Sequence, residues 1–201
     1  MKQRGLKARW KRKFVHTTDS RHDLPVAANA LDRRFNPNAP DQAWTADITH
    51  IPTDRGWLYL AAVLDLCPRK IVGWVMAPNM PAELVCTALK IAIAPRQPRP
   101  GLIVHADRGS QYASQARRDL LTRHGLVASM SRKGNGWDSA VMERFFLSLN
   151  LKMERVWQRN YANPVEVVMD ITQYIIGFYN THRLHCMFGY RSPADYEKAA
   201  A

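Results

Sequence analysis

The chain has 201 residues, 46% of them hydrophobic, and 29 Lys and Arg against 17 Asp and Glu give it a formal net charge of +12. That length suits one well-cored domain with appendages and excludes two ordinary domains, while the apolar share excludes a wholly disordered chain. The longest apolar run, Trp57 to Leu66, is interrupted by Asp65 and is about half of a membrane span, so a soluble cytoplasmic protein without a membrane partner is expected. The basic excess points to a polyanion, and nucleic acid before other polyanions. A generally basic soluble enzyme is the alternative that charge alone leaves open. Cys67, Cys86 and Cys186 are far apart and form no Cys-x-x-Cys pair, so neither a disulfide frame nor a zinc site is indicated.

In chain order, Met1 to Lys13 holds seven basic residues, Lys2, Arg4, Lys7, Arg9, Lys11, Arg12 and Lys13, and few apolar ones. It reads as a projecting arm for DNA phosphates or as a solvated tail. The Asn- and Pro-rich stretch Asn36 to Asp41 marks a boundary, which divides the chain into a basic arm and linker (1–41), a core (42–160) and a C-terminal helical extension (161–201). Trp44, Ala46, Ile48 and Ile51 predict a first strand, ended by the turn Pro52-Thr53-Asp54-Arg55-Gly56. Trp57 to Leu66 predicts a second strand buried on both faces, and Ile71 to Met76 a third, so the first three form an antiparallel meander. Trp44, Trp57 and Trp74 are expected in the core rather than as base-stacking groups.

Pro81 suits the first turn of a helix whose apolar stripe is Leu84, Val85, Ala88, Leu89 and Ala92. Leu102 to His105 predicts a short buried strand, Ser114 to His124 a helix stopped by Gly125, and Val127 to Met130 a fifth strand. Asp138 can cap a helix running to about Trp157, and a further helix is expected from Val165 to Tyr179. The resulting order, βββαβαβα with a last helix, is that of an α/β protein with a ribonuclease-H-like mixed sheet.

Three acids stand out. Asp47 lies between Ala46 and Ile48 in a strand, where an uncompensated carboxylate is costly. Asp107 directly follows a buried strand, a usual place for functional groups in α/β sheets. Glu143 sits on the flank of the stripe Met142, Phe145, Phe146, Leu149 and Met153. Converging carboxylates of this kind bind hard divalent cations for phosphoryl transfer. Singly, each has a plainer reading: Asp47 as partner of an arginine, Asp107 as cap of the turn at Arg108-Gly109, Glu143 as a surface residue.

Sixty positions separate Asp47 from Asp107, and thirty-five residues lie between Asp107 and Glu143. This spacing resembles the DDE signature of retroviral integrases and of IS3-family insertion-sequence transposases. The local words are similar to the latter: Trp44-Thr45-Ala46-Asp47-Ile48-Thr49, His105-Ala106-Asp107-Arg108-Gly109-Ser110-Gln111-Tyr112 and Trp137-Asp138-Ser139-Ala140-Val141-Met142-Glu143-Arg144-Phe145-Phe146. Tyr179-Asn180-Thr181-His182-Arg183-Leu184-His185 and Gly189-Tyr190-Arg191-Ser192-Pro193 resemble the family's C-terminal block, so the likeness runs through nearly the whole chain.

The resemblance implies a transposase core that cleaves and joins double-stranded DNA, at both element ends and target. Asp47, Asp107 and Glu143 would hold two Mg²⁺ ions, with Mn²⁺ able to substitute. It also implies a multimer on DNA, an upstream-frame helix-turn-helix protein as partner, and a place at the bacterial nucleoid. Arg108, Gln111, Arg132, Lys133 and Asn135 flank the acids and are expected to contact DNA, together with Lys2, Arg4, Lys11, Arg12 and Lys13 of the arm. Two departures stand out: Ala106 where the family has Ser, and Asn150 where it has a Lys, the nearest here being Lys152. A nuclease that hydrolyses without joining, and a non-catalytic DNA-binding remnant, are the alternatives.

Overall fold

The computed structural model describes residues 22–132, 139–152, 161 and 163–200, with the backbone alone for 150–152. The DNA contacts expected at Lys2, Arg4, Lys11, Arg12, Lys13, Lys133 and Asn135 lie outside the described residues. So do the Asp138 cap, the helix end near Trp157 and the side chains of Asn150 and Lys152.

Five strands form one mixed sheet: β1 (Ala43–Thr53), β2 (Gly56–Asp65), β3 (Ile71–Ala77), β4 (Ile103–Ala106) and β5 (Val127–Met130). Their spatial order is β3-β2-β1-β4-β5. The two short turns keep β1, β2 and β3 antiparallel, whereas helical crossovers make β1–β4 and β4–β5 parallel. The helices are α1 (Ala82–Arg96), α2 (Ser110–Ala113), α3 (Gln115–Arg123), α4 (Ala140–Lys152), α5 (Pro164–Tyr174) and α6 (Pro193–Ala200). A π-helical turn, Ile175–Tyr179, continues α5.

Strand alternation divides the core in two. Leu60, Ala62 and Leu64 face one side, where Met142, Phe145 and Leu149 of α4 and Val167, Ile171 and Tyr174 of α5 cover them. Ala61 and Val63 face the other, under Leu84, Ala88 and Leu89 of α1 and Leu120 and Leu121 of α3. β2 is therefore buried on both faces over most of its length, as its nearly continuous apolar run predicts. Trp57 departs from that expectation. It lies beside the turn that closes the β1–β2 hairpin, opposite Pro52. It is 51% exposed there, with its ring edge-on to His50 at 4.8 Å. Trp44 is fully buried and Trp74 packs partly against the core, as expected.

β5 ends the sheet, and residues 27–31 run along that edge. The Ala28 carbonyl accepts from Met130 N–H at 3.4 Å, Ser129 Oγ accepts from Leu31 N–H at 3.0 Å, and Leu31 is buried. Covering an edge in this way removes an open strand-pairing template.

Candidate active site

Parallel pairing of β1 and β4 sets Thr45 beside His105. Two positions further along each strand stand Asp47 and Asp107, on the sheet face that α4 covers, because alternation sends Trp44, Ala46, Val104 and Ala106 to the opposite core. The chain leaves β4 at Asp107, at the carboxyl end of the strand. Asp107 Oδ1 accepts the Gly109 N–H at 2.8 Å, so this acid does cap the turn that leads into α2.

Asp47 is half-buried, and its Oδ1 accepts the Ile48 N–H at 2.8 Å. Burial pushes its carboxyl from the ordinary range up to about 8, the negative charge of Asp107 adds to this, the Ile48 N–H opposes it, and Glu143 raises it further. The charges acting on Asp47 are thus both acidic, which is unlike an arginine-paired structural aspartate. Glu143 lies in the first turn of α4 and is exposed, while Met142, Phe145, Phe146 and Leu149 are buried. The stripe flank predicted from sequence is where it stands. Among the described residues no three His, Cys, Asp or Glu side chains close into a ready-made ion cage.

The fit to a divalent cation rests on the donors themselves. Asp47, a desolvated carboxyl with the charges of Asp107 and the exposed Glu143 in its field, makes with them a set of three hard oxygen ligands. A small cation with retained waters and substrate phosphate oxygens needs few protein carboxylates.

Several supporting groups were not foreseen from the sequence. Tyr112 is buried, and its hydroxyl, in the field of Asp47 and Asp107, has no hydrogen-bond partner. Arg117 is buried beneath it, with its guanidinium 5.3 Å from the Tyr112 ring centroid and donating to the Tyr112 and Val104 carbonyls at 3.2 Å each. His105 is buried as well, within 2.9 Å of Ser129 Oγ and 3.2 Å of Ser131 Oγ. The signal for these was present as polar residues at inward positions of apolar elements.

Of the expected DNA contacts, the described ones already have protein partners. Arg108 Nε donates to the Ser131 carbonyl at 2.7 Å, and the Arg108 carbonyl meets His22 Nε2 at 2.7 Å. Gln111 Nε2 donates to the Met80 carbonyl at 3.3 Å. Arg132 forms an ion pair with Asp32.

Residues 37–136 match the integrase core domain family. The chain is 43% identical over 197 residues to the insertion element IS600 31 kDa protein of Shigella sonnei, covering 98% of this chain and 72% of that one. It is 41% identical over 197 residues to transposase InsF for insertion sequence IS3A of Escherichia coli strain K12, covering 98% and 68%. Among solved structures, the HTLV-2 integrase catalytic core domain in complex with magnesium superposes with a TM-score of 0.60 at 14% identity, covering 79% of this chain and 97% of that one. A chain of the simian T-cell lymphotropic virus intasome in complex with PP2A regulatory subunit B56 gamma gives 0.67 at 17% identity, covering 90% of this chain and 60% of that one. These likenesses establish the ribonuclease-H-like fold expected from the element order.

Proposed function

This chain belongs to the IS3-type insertion-sequence transposases, which carry an integrase core domain, and on that premise we propose that Asp47, Asp107 and Glu143 are its catalytic acids. The protein acts in transposition and DNA integration as a polynucleotidyl transferase. The three acids hold two Mg²⁺ ions, for which Mn²⁺ substitutes; when bound, the metal supplies charge neutralisation at the phosphodiester and an activated oxygen nucleophile.

The chain's own residues do the positioning. Asp47 lies in β1 and Asp107 directly follows its parallel neighbour β4, two residues beyond the paired Thr45 and His105, so the sheet holds the two acids near each other. The Gly109 N–H binds Asp107 Oδ1 and the Ile48 N–H binds Asp47 Oδ1, which orients each carboxylate. Glu143 joins from α4, whose buried stripe holds its rotation. Catalysis of this type is positioning and electrostatic compensation, without a covalent protein intermediate. Double-stranded DNA is the substrate as element end and as target, copies of the chain multimerise on paired ends, and an upstream-frame helix-turn-helix protein reads those ends. The site of action is the bacterial cytoplasm, at the nucleoid; among the described residues no helix is long and apolar enough to cross a membrane.

The observation that carries the reading is the placement of the half-buried Asp47 of β1 within the field of both Asp107, which follows β4, and Glu143 of α4, an arrangement suited to a cation. Nicking of supercoiled plasmid in Mg²⁺ or Mn²⁺ tests it. The wild-type chain is expected to nick only with metal, and Asp107→Asn and Glu143→Gln to lose at least a hundredfold while still binding DNA. Equal nicking by all three proteins would discard the triad.

A further inference from the structure

The C-terminal block has no part in the triad, yet it is tightly built. The Asn180 side chain pairs with both backbone groups of Ile71 at 2.9 Å, which fastens the segment to β3. Beyond it the chain makes a closed loop: His185 N–H donates to the Arg191 carbonyl at 3.1 Å and Tyr190 N–H to the His185 carbonyl at 3.0 Å. Gly189 and Tyr190 both take left-handed backbone conformations, at φ +63° and +60°. For a tyrosine that conformation costs free energy and persists only where the surroundings impose it. Beneath the loop, Phe188 stacks on Tyr196 at 4.1 Å and on His185 at 5.4 Å, and His185 meets the Tyr179 ring at 5.8 Å.

This rigid base turns large apolar side chains outward. Tyr190 is 70% exposed, Leu184 60% and Met187 50%. Two arginines, Arg183 and Arg191, flank them in the chain, and no acid occurs between Asp170 and Asp195. Arg183 lies over the Tyr179 ring at 5.3 Å, and Phe145 packs edge-on against the same ring at 4.8 Å. Phe145 follows Glu143 by two residues on α4, so the loop is braced against the helix that carries the third acid. An apolar patch on a protein surface can mark an interaction site, and one flanked by two arginines suits a polyanion better than a second copy of an equally basic chain. A polyanion that also offers flat apolar faces is nucleic acid with unpaired bases.

Resting on the transposase reading, we propose that residues 182–191 form a second DNA contact, in which Tyr190, flanked by Leu184 and Met187, stacks on an unpaired base while Arg183 and Arg191 hold the adjoining phosphates. The surface would seize DNA opened next to the reacting strand and keep it open.

Tyr190→Gly separates binding from folding, because glycine adopts φ near +60° without strain and removes the ring. Anisotropy titrations of the full chain would use a labelled duplex with a short unpaired overhang and the same duplex with blunt ends. Tyr190→Gly is expected to keep or raise the melting temperature, to weaken overhang binding about tenfold, and to change blunt binding less than about twofold. Arg191→Ala is expected to weaken both duplexes alike and to reduce their salt dependence. Wild-type affinity of Tyr190→Gly for the overhang, with metal-dependent nicking intact, overturns this proposal alone. Unchanged DNA binding with an altered oligomeric state by light scattering also overturns it, and makes the loop a contact between copies. A wild-type chain that binds neither duplex overturns both this inference and the transposase reading.

Discussion

A carboxyl pushed up to about 8 keeps its proton in the folded chain over a pH range in which the unfolded chain has lost it. Between about pH 4 and pH 8 the folded state therefore binds one more proton than the unfolded state, and stability falls as pH rises, by up to about 1.4 kcal/mol per pH unit, then levels off. Asp47→Asn removes this dependence. In urea unfolding with a chelator present, the variant is expected to match wild type near pH 4 and to gain on it steadily toward pH 8. Mg²⁺ is expected to stabilise the wild-type chain at pH 8 and not the variant. A variant whose stability runs parallel to wild type across the range would show that Asp47 is not desolvated. The sequence offered the three proposed acids as charges beside apolar residues, at a spacing that resembles the family signature. Arg117 was not legible in this way. It reads as a surface residue beside Arg118, and only its position three and four residues ahead of the buried Leu120 and Leu121 betrays the inward face. Tyr112 and the His105–Ser129–Ser131 set escape for the same reason: which polar group is enclosed depends on what packs above it.

Alternation and turn chemistry revealed all five strands to within a residue or two, since a strand with one period-two pattern admits few registers. Helix starts were less visible. Ser114 does cap α3, accepting the Arg117 N–H at 3.4 Å, yet the short α2 before it carried no apolar stripe long enough to read. Close packing of α1 on β3 was likewise hidden, although it decides how the second core closes. Gly73 lies where a Cβ would come within 2.4 Å of the Ala88 carbonyl oxygen and 2.9 Å of Ala92 Cβ. Two backbones meet there, and neither is free to yield. Gly73→Ala is expected to cost about 2 kcal/mol through forced separation of helix and strand, measured as a lowered urea midpoint at unchanged slope. Gly56 provides the control: a Cβ there meets nothing within 4 Å, so any loss in Gly56→Ala reports its φ of +116° alone.

At the scale of the molecule, one sheet serves two cores, and a charge cluster ties its ends to the C-terminus. Arg96, at the end of α1, pairs with Asp41 at 2.6 Å, Asp65 at 3.0 Å and Glu197 of α6 at 2.6 Å, and Lys70 adds a second contact to Glu197 at 2.5 Å. Residues from four separate stretches of chain meet there, so no local pattern could announce the cluster. It stands at the start of β1 and β4, whereas Asp107 follows the end of β4, which separates the latch from the acids. Burial pushes Asp65 up to about 7, although the N–H groups of Asp41 and Cys67 and the charge of Arg96 all pull it down, and Asp41 adds to the rise. Its raised value means that this carboxyl favours the fold below about pH 4 and loses that contribution as pH rises through 7. Arg96→Met keeps the packing and removes the cation, which drives Asp65 further up and leaves any ionised Asp65 buried unpaired. The expected loss is about 3 kcal/mol at pH 8 and distinctly less at pH 5, where Asp65 is protonated in both proteins and only the Asp41 and Glu197 contacts are missing. Urea melts at the two pH values measure the difference, and an equal loss at both would assign the latch to Glu197 rather than to Asp65. Because the acids lie at the other end of the strands, metal-dependent nicking by Arg96→Met is expected to match wild type at temperatures where the variant remains folded.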